Sequence, residues 1–378
     1  MACGIVYAGR HVTSNLPRHT PYNSRKRANL SPLPGFTPHD RVLVVAPHPD
    51  DESIATGGLL QAARAAGAAC RVLLVTDGDN NPWPQRWQEK RWHVGPVERA
   101  RWGARRRSEA RAALELLGLQ GDDVRCLGLP DLGLTQALMS GTPDVVALLQ
   151  AQLAEFKPTR LVLPILEDRH PDHSALDVLL RLALSRNDAV PQLIAFGVHG
   201  AGPEVDGATL ALTPEQCEIK RAAIQKHTTQ MLLSRKRFVA YARLQEPFRL
   251  VPWPSVPNPH HPLRAEVDVS GDLQVHVDHG KWGGSLRGLA LFLAGQRPDG
   301  EPLRRCFALT GAEASMVRDT LSDRIVGAAR ISRIGAETVV TVPAIGDLRF
   351  GWLKLARPAP GLFVFDRIGW QTISALRT

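Results

Sequence analysis

The stretch "RVLVVAPHPDDESIATGG", Arg41 to Gly58, joins a continuous apolar run to a histidine, two prolines and three consecutive acids. The apolar part has the composition of a parallel strand buried on both faces. The "SIATGGLLQAARAAG" that follows reads as a helix, so the acids fall at a strand-to-helix junction. On a surface loop such a run would only be solvated. At the carboxyl end of a buried strand it lies where open α/β sheets bind ligands.

The same grammar repeats downstream. "CRVLLVTDGD", "DVRCLGLPD", "TRLVLPILED" and "PQLIAFGVHG" read as further strands. "RRRSEARAALELLGL", "DVVALLQAQLAEF" and "HSALDVLLRLALSR" read as helices, and "TPEQCEIKRAAIQKHTTQMLL" as one long helix opening at Thr213. This alternation predicts a Rossmann-like, doubly wound, mostly parallel α/β sheet over residues 41–250. Residues 1–40 are basic and proline-containing, and are expected to form an arm or strap. "VPWPSVPNPHHP" holds five prolines in twelve residues, which makes residues 251–263 a linker. Beyond it "AEVDVSGDLQVHVDH" alternates on each side of Ser270-Gly271-Asp272, the signal of a hairpin. Residues 264–378 are therefore expected to form a β-rich, sandwich-like accessory domain.

Composition narrows the class. The 378 residues are 44% hydrophobic and 22% charged, ordinary for a globular protein long enough for two domains. The net charge of +9 favours anionic partners without choosing among them. Five scattered cysteines, Cys3, Cys70, Cys126, Cys217 and Cys306, have no metal-ligand spacing and predict reduced thiols in a cytoplasmic setting. No run approaches about 18 apolar residues, so no transmembrane segment is expected, while peripheral membrane contact and oligomeric state stay open.

A second cluster, "EDRHPDH" from Glu167 to His173, follows the fourth strand as "PHPDDE" follows the first. Two His/Asp clusters at equivalent ends of parallel strands can converge, which is what a metal needs; a catalytic zinc takes three N or O ligands and keeps one position open. The plainer alternatives are a helix cap for His48 and Asp51, and backbone-bonded loop residues for His170 and His173.

Taken together these segments resemble the LmbE-like, or PIG-L, zinc-dependent N-deacetylases, of the GlcNAc-PI de-N-acetylase type. "PHPDDE", "RRSEARAAL", "LGLPDLGL", "HPDH" and "KRAAIQKHTTQ" match its motifs in order, over about residues 41–250. The resemblance implies one Zn2+ per chain, replaceable by another divalent metal, held by His48, Asp51 and His173. It implies Asp50 as general base toward the attacking water, and a protonated His170 that stabilises the oxyanion. Asp172 would hold the tautomer of His170 and raise its pKa. Arg106 and Asp131 would contact the substrate sugar. Glu52 would support the helix start. Asp168 stands where some relatives carry a tyrosine.

The implied reaction removes an N-acetyl group from an amino sugar or its phosphorylated or lipid-linked conjugate, leaving acetate and a free amine. The alternatives are a deacylase of a glycosylated natural product and a non-catalytic carbohydrate- or lipid-headgroup-binding protein on the same fold. A nucleotide-binding Rossmann enzyme is excluded locally, because the first strand-to-helix turn has no G-x-G-x-x-G. Nucleic acid is not expected as a partner. The segment Asn80 to Arg107 holds four of the eight tryptophans and many arginines, and reads either as a substrate lid or as a loop folded back onto the core.

Overall fold

In the computed structural model, which describes residues 31–187, 189–200, 207–309, 312–357 and 365–373, the Arg41–Ala46 run forms strand β2 at the centre of an eight-stranded sheet. Ser31–Pro32 is β1; residues 1–30 of the expected arm lie outside the described residues. The following elements are α1 (Asp51–Ala65), β3 (Ala69–Thr76), α2 (Pro82–Glu89), α3 (Pro96–Leu116), β4 (Val124–Leu129), α4 (Leu134–Ser140) and α5 (Val145–Phe156). Then come β5 (Arg160–Pro164), α6 (Pro171–Leu184), β6 (Gln192–Phe196), β7 (Ala208–Ala211), α7 (Pro214–Lys226), α8 (Thr228–Val239) and β8 (Gln245–Val251).

The sheet order is β1-β7-β8-β6-β5-β2-β3-β4, with β2 to β6 parallel and β8 antiparallel to β6 and β7. Alternate residues of the central strands feed two cores. Val42, Val44 and Val72 pack with α1 and α3, whereas Leu43, Val45 and Leu73 pack with α4, α5 and α6. Helices on both faces confirm the doubly wound architecture. The chain leaves β2 toward β3 and leaves β5 toward β6, so the crevice between the adjacent strands β2 and β5 is the switch point where such sheets bind ligands.

The expected long helix after Thr213 is two helices. His227 leaves helical geometry (φ −76°, ψ 64°) because its ring is drawn inward to Ser53 Oγ at 3.0 Å. On α7 Lys220 Nζ meets Glu246 Oε1 at 2.6 Å, and the same carboxylate accepts from the N–H groups of Gly58 and Leu59. This buried pair ties α7, α1 and β8 together.

The remaining strands are β9 (Leu263–Val267), β10 (Leu273–Asp278), β11 (Leu289–Gln296), β12 (Pro302–Leu309), β13 (Ala314–Asp319), β14 (Arg324–Ile334), β15 (Glu337–Val342), β16 (Phe350–Ala356) and β17 (Gln371–Thr372). The expected hairpin joins β9 to β10, with Val267 opposite Leu273. These nine strands form one antiparallel sheet curled around its own core, and Gln371 on one edge strand donates to Leu263 O on the other at 2.9 Å.

The β-rich unit is not tethered loosely. Trp352, Trp370 and Ala294 join the same apolar cluster as α6, which explains why α6 is buried on every side from Asp172 to Leu184. A helix buried all round must be covered on two faces, here by the parallel sheet and by the β-rich unit. Cys70, Cys126, Cys217 and Cys306 are free thiols. No helix among the described residues is long and apolar enough to cross a membrane.

Candidate active site

Both histidine-bearing loops end at helix N-termini. Asp50 occupies the position before α1 and His170 the position before α6. Asp50 has φ 149° and ψ −26°, a region L residues rarely adopt, and its side chain makes no capping hydrogen bond. Such strain costs on the order of 1–3 kcal/mol and persists where the surroundings impose it. Glu52 is part of those surroundings: its Oε2 accepts from Asp50 N at 2.9 Å, while Oε1 accepts from Ser53 Oγ and faces His227 Nε2 at 3.2 Å.

Three donor atoms from the two loops converge. His48 Nδ1 and His173 Nε2 each lie 3.2 Å from Asp51 Oδ2, and 3.3 Å from one another. Ligands bound tetrahedrally at about 2.0–2.1 Å are separated by about 3.3–3.4 Å, so these atoms already form the face such an ion requires. The outer nitrogens meet carboxylates. His48 Nε2 is 3.0 Å from Asp131 Oδ1 and 3.4 Å from Asp172 Oδ2, and His173 Nδ1 is 3.3 Å from Asp168 Oδ2. The Asp131 and Asp168 approaches have ion-pair distance without hydrogen-bond alignment. A carboxylate behind a ligating histidine is the usual arrangement at metal sites. His170 and His199 stand alongside, and His48, His170 and His173 also form a cluster of metal-binding type. Two imidazoles and one carboxylate are a donor set that suits zinc.

Residues 43–184 match the family described as PIG-L, GlcNAc-PI de-N-acetylase. The match spans β2 to α6 and takes in both His/Asp clusters. Several solved structures are similar to it. A conserved protein of Thermus thermophilus is 25% identical, over 58% of this chain and 98% of its own, with a TM-score of 0.42. The A40926 pseudoaglycone deacetylase Dbv21 is 20% identical, over 56% and 96%, at 0.45. The N,N'-diacetylchitobiose deacetylase of Pyrococcus horikoshii is 20% identical, over 57% and 85%, also at 0.45. No curated protein matches the chain.

The geometry of the site bears on three expectations. Arg106 turns its guanidinium inward. It is buried, with Nη1 on Gly78 O at 2.6 Å, Nη2 on Pro49 O at 2.8 Å, and Asp50 Oδ1 at 3.3 Å. A Cβ on Gly78 would sit 1.8 Å from Arg106 Nη1, so glycine is needed for the guanidinium to reach the strand ends. Asp131 likewise turns its carboxylate inward, with Oδ1 toward His48 Nε2 and Oδ2 accepting from Asn80 N at 3.3 Å.

Asp172 does not grip the ring of His170. Its carboxylate accepts from Leu132 N at 2.7 Å and Leu134 N at 3.0 Å, and only its backbone N–H reaches His170, donating to Nδ1 at 3.3 Å. The proton of a neutral His170 therefore sits on Nε2. Burial, reinforced by the rings of His48, His173 and His199, pushes the His170 pKa well below its usual value, so this imidazole is neutral rather than protonated.

Burial also raises the Asp50 carboxyl, to about 6, against the opposing pull of Arg106. Asp168 accepts from His170 N, Val198 N and His199 N, and these bonds with His173 hold it well below the carboxylate range against burial.

Sequence reasoning missed two contributors. His199 follows β6 on the same sheet edge, and the strand-end position of "GVHG" was its signal. The other is the C-terminal unit. Asp366 N donates to Arg169 O at 2.9 Å, Trp370 N to Leu166 O at 3.1 Å, and the ring of Phe365 lies 4.9 Å from His199 and 5.9 Å from His170. A Cβ on Gly369 would be 2.3 Å from Leu166 O, so the strand-end loop and this segment touch backbone to backbone. Lys354, fully buried, bonds Asp366 Oδ2 at 2.7 Å and Ser174 Oγ at 3.2 Å, next to His173. Of the four tryptophans in the Trp/Arg segment only Trp102 is buried; Trp83, Trp87 and Trp92 are exposed. A cleft of about 500 Å³ opens beside it, lined by Asp77, Asp79, Gly95, Arg99 and Pro130 among others.

Proposed function

We propose that the protein is a metal-dependent N-deacetylase that releases acetate from an N-acetylated amino sugar or its conjugate. The observation that carries this reading is the set of three mutual distances among His48 Nδ1, Asp51 Oδ2 and His173 Nε2, with Asp50 buried beside them. His48, Asp51 and His173 would hold one divalent ion, zinc by the chemistry of the donors. When bound, that ion supplies Lewis acidity toward the amide carbonyl and the attacking water.

The protein's own groups complete the reaction. Asp50, held near the pKa a general base needs, accepts the proton of the attacking water at a carboxylate oxygen and returns it to the amide nitrogen as the C–N bond breaks, leaving acetate and a free amine. Arg106 orients that carboxylate rather than touching substrate. Neutral His170 donates from Nε2 to the oxygen on which negative charge develops, and the N-termini of α1 and α6 add their positive ends. Asp131, Asp172 and Asp168 fix the rings of His48 and His173.

The β-rich residues 264–378 belong to this machinery. Phe365 walls the site, and Lys354, Asp366 and Trp370 brace the loop that carries His170 and His173. Acetate release from a panel of N-acetylhexosamine conjugates tests the reading. Turnover that a chelator abolishes and a divalent metal restores supports it; activity indifferent to chelation contradicts it.

A further inference from the structure

The surface around α2 carries a feature that deacetylation does not use. Trp83 and Trp87 are four residues apart, on one face of α2, and are 61% and 79% exposed. Trp92 and Val97 follow at 85% and 74%. Tryptophans normally bury about 150–250 Å² each, so three in water on one short segment call for a partner. The same segment buries Trp102, so its tryptophans are divided between core and surface.

The surroundings are cationic. Helix α2 packs against α8, which presents Arg235, Lys236 and Arg237 to solvent. Residues 82–101 hold five Lys/Arg against two Glu, and residues 228–243 hold four against no acid, together seven of the chain's nine net positive charges. The two acids are already paired, Glu89 with Arg101 and Glu98 with Arg91. Arg86 stacks over Trp83 at 5.2 Å.

We propose that the α2–α8 face docks the protein on an anionic lipid bilayer, with Trp83, Trp87 and Trp92 entering the headgroup boundary and the cations facing lipid phosphates. Exposed indoles beside Lys and Arg are the composition of an interfacial anchor. A second copy of the chain is a poor occupant, because it would bring the same dense positive charge against this one. Single-stranded nucleic acid stacks on aromatics that line a groove, whereas these indoles project from a helix and its following loop and take no part in the neighbouring cleft. The α2 segment leaves the carboxyl end of β3, the sheet edge that also carries His48 and His173, so docking would place the bilayer on the side of the site. The inference does not depend on the proposed reaction.

Cosedimentation of the full chain with vesicles tests it directly. Binding is expected to vesicles of phosphatidylcholine mixed with phosphatidylglycerol, weak binding to phosphatidylcholine alone, and a blue shift of tryptophan emission on binding. The variant Trp83→Ala/Trp87→Ala/Trp92→Ala should bind roughly tenfold or more weakly, and Arg235→Glu/Lys236→Glu/Arg237→Glu similarly, with wild-type binding weakened by salt. The two variants lie on different elements, so one remains informative if the other lowers the melting temperature. Absence of binding to the anionic vesicles, binding unchanged in both variants, or tryptophan-dependent binding to a single-stranded oligonucleotide in their place would overturn the proposal.

Discussion

Replacing Arg106 by methionine separates the role read from its surroundings from the sugar contact expected of its motif. The guanidinium lies 3.3 Å from Asp50 Oδ1, both groups are buried, and Arg106 is the strongest influence lowering the Asp50 pKa from the level burial alone would set. An opposite charge at this range lowers a carboxyl pKa by about 1–3 units, each unit worth about 1.4 kcal/mol. The base must be ionised to accept a proton, and Arg106 favours the ionised form. Its loss therefore moves the acidic limb of kcat/KM to higher pH by about the same 1–3 units. At pH 7 a carboxyl near 6 is roughly nine-tenths ionised; after that shift the fraction falls to between about a half and about a hundredth. Acetate release across pH should show the displaced limb with KM little changed, and Arg106→Lys should correct it only in part, because an ammonium cannot span Gly78 O, Pro49 O and Asp50 together. A steep rise in KM with the acidic limb unmoved would refute the reasoning and return Arg106 to the substrate.

Three further outcomes follow from buried charge. Lys354→Met strips Asp366 of its cation and Ser174 of its donor; because Asp366 keeps some exposure, the expected cost is about 2–4 kcal/mol in urea unfolding, with slower turnover and metal retained. Lys220→Met breaks a pair with no access to water and should cost about 3–5 kcal/mol, while activity per folded molecule stays near wild type. His261 is buried, and burial lowers its pKa from 6.5 to about 4, so the unfolded chain binds a proton that the native one refuses. Stability should therefore fall as pH drops from about 6.5 to about 4, by up to about 3 kcal/mol, and His261→Asn, which keeps an acceptor for the Leu263 N–H, should flatten that loss in thermal melts.

The α/β sheet was legible because its signals are local. The continuous apolar run of β2 and the three- and four-residue spacing of α3 each state an element without help from the rest of the chain. That the two His/Asp clusters could converge was legible because both follow strands of one parallel sheet, whereas the set His48, Asp51 and His173 came from the family resemblance. What the sequence did not show depends on side-chain direction across distant elements. Nothing near Arg106 says that Gly78 opens a path for its guanidinium, and nothing in "HPDH" says that the Asp172 carboxylate turns to Leu132 and Leu134. The break at His227 arises from Ser53 and Glu52, far earlier in the chain. Only the structure shows that α6 is buried on every side, its second face covered by the β-rich unit.

Metal content, measured on four purified single variants, tests the central assignment most directly. Asp50→Asn should keep about one divalent ion per chain and lose roughly 10²–10⁴-fold in acetate release, whereas His48→Ala, Asp51→Ala and His173→Ala should each lose the ion. Equal metal loss in all four, or a full complement of metal in His173→Ala, would contradict the assignment of Asp50 as base and of the other three as ligands.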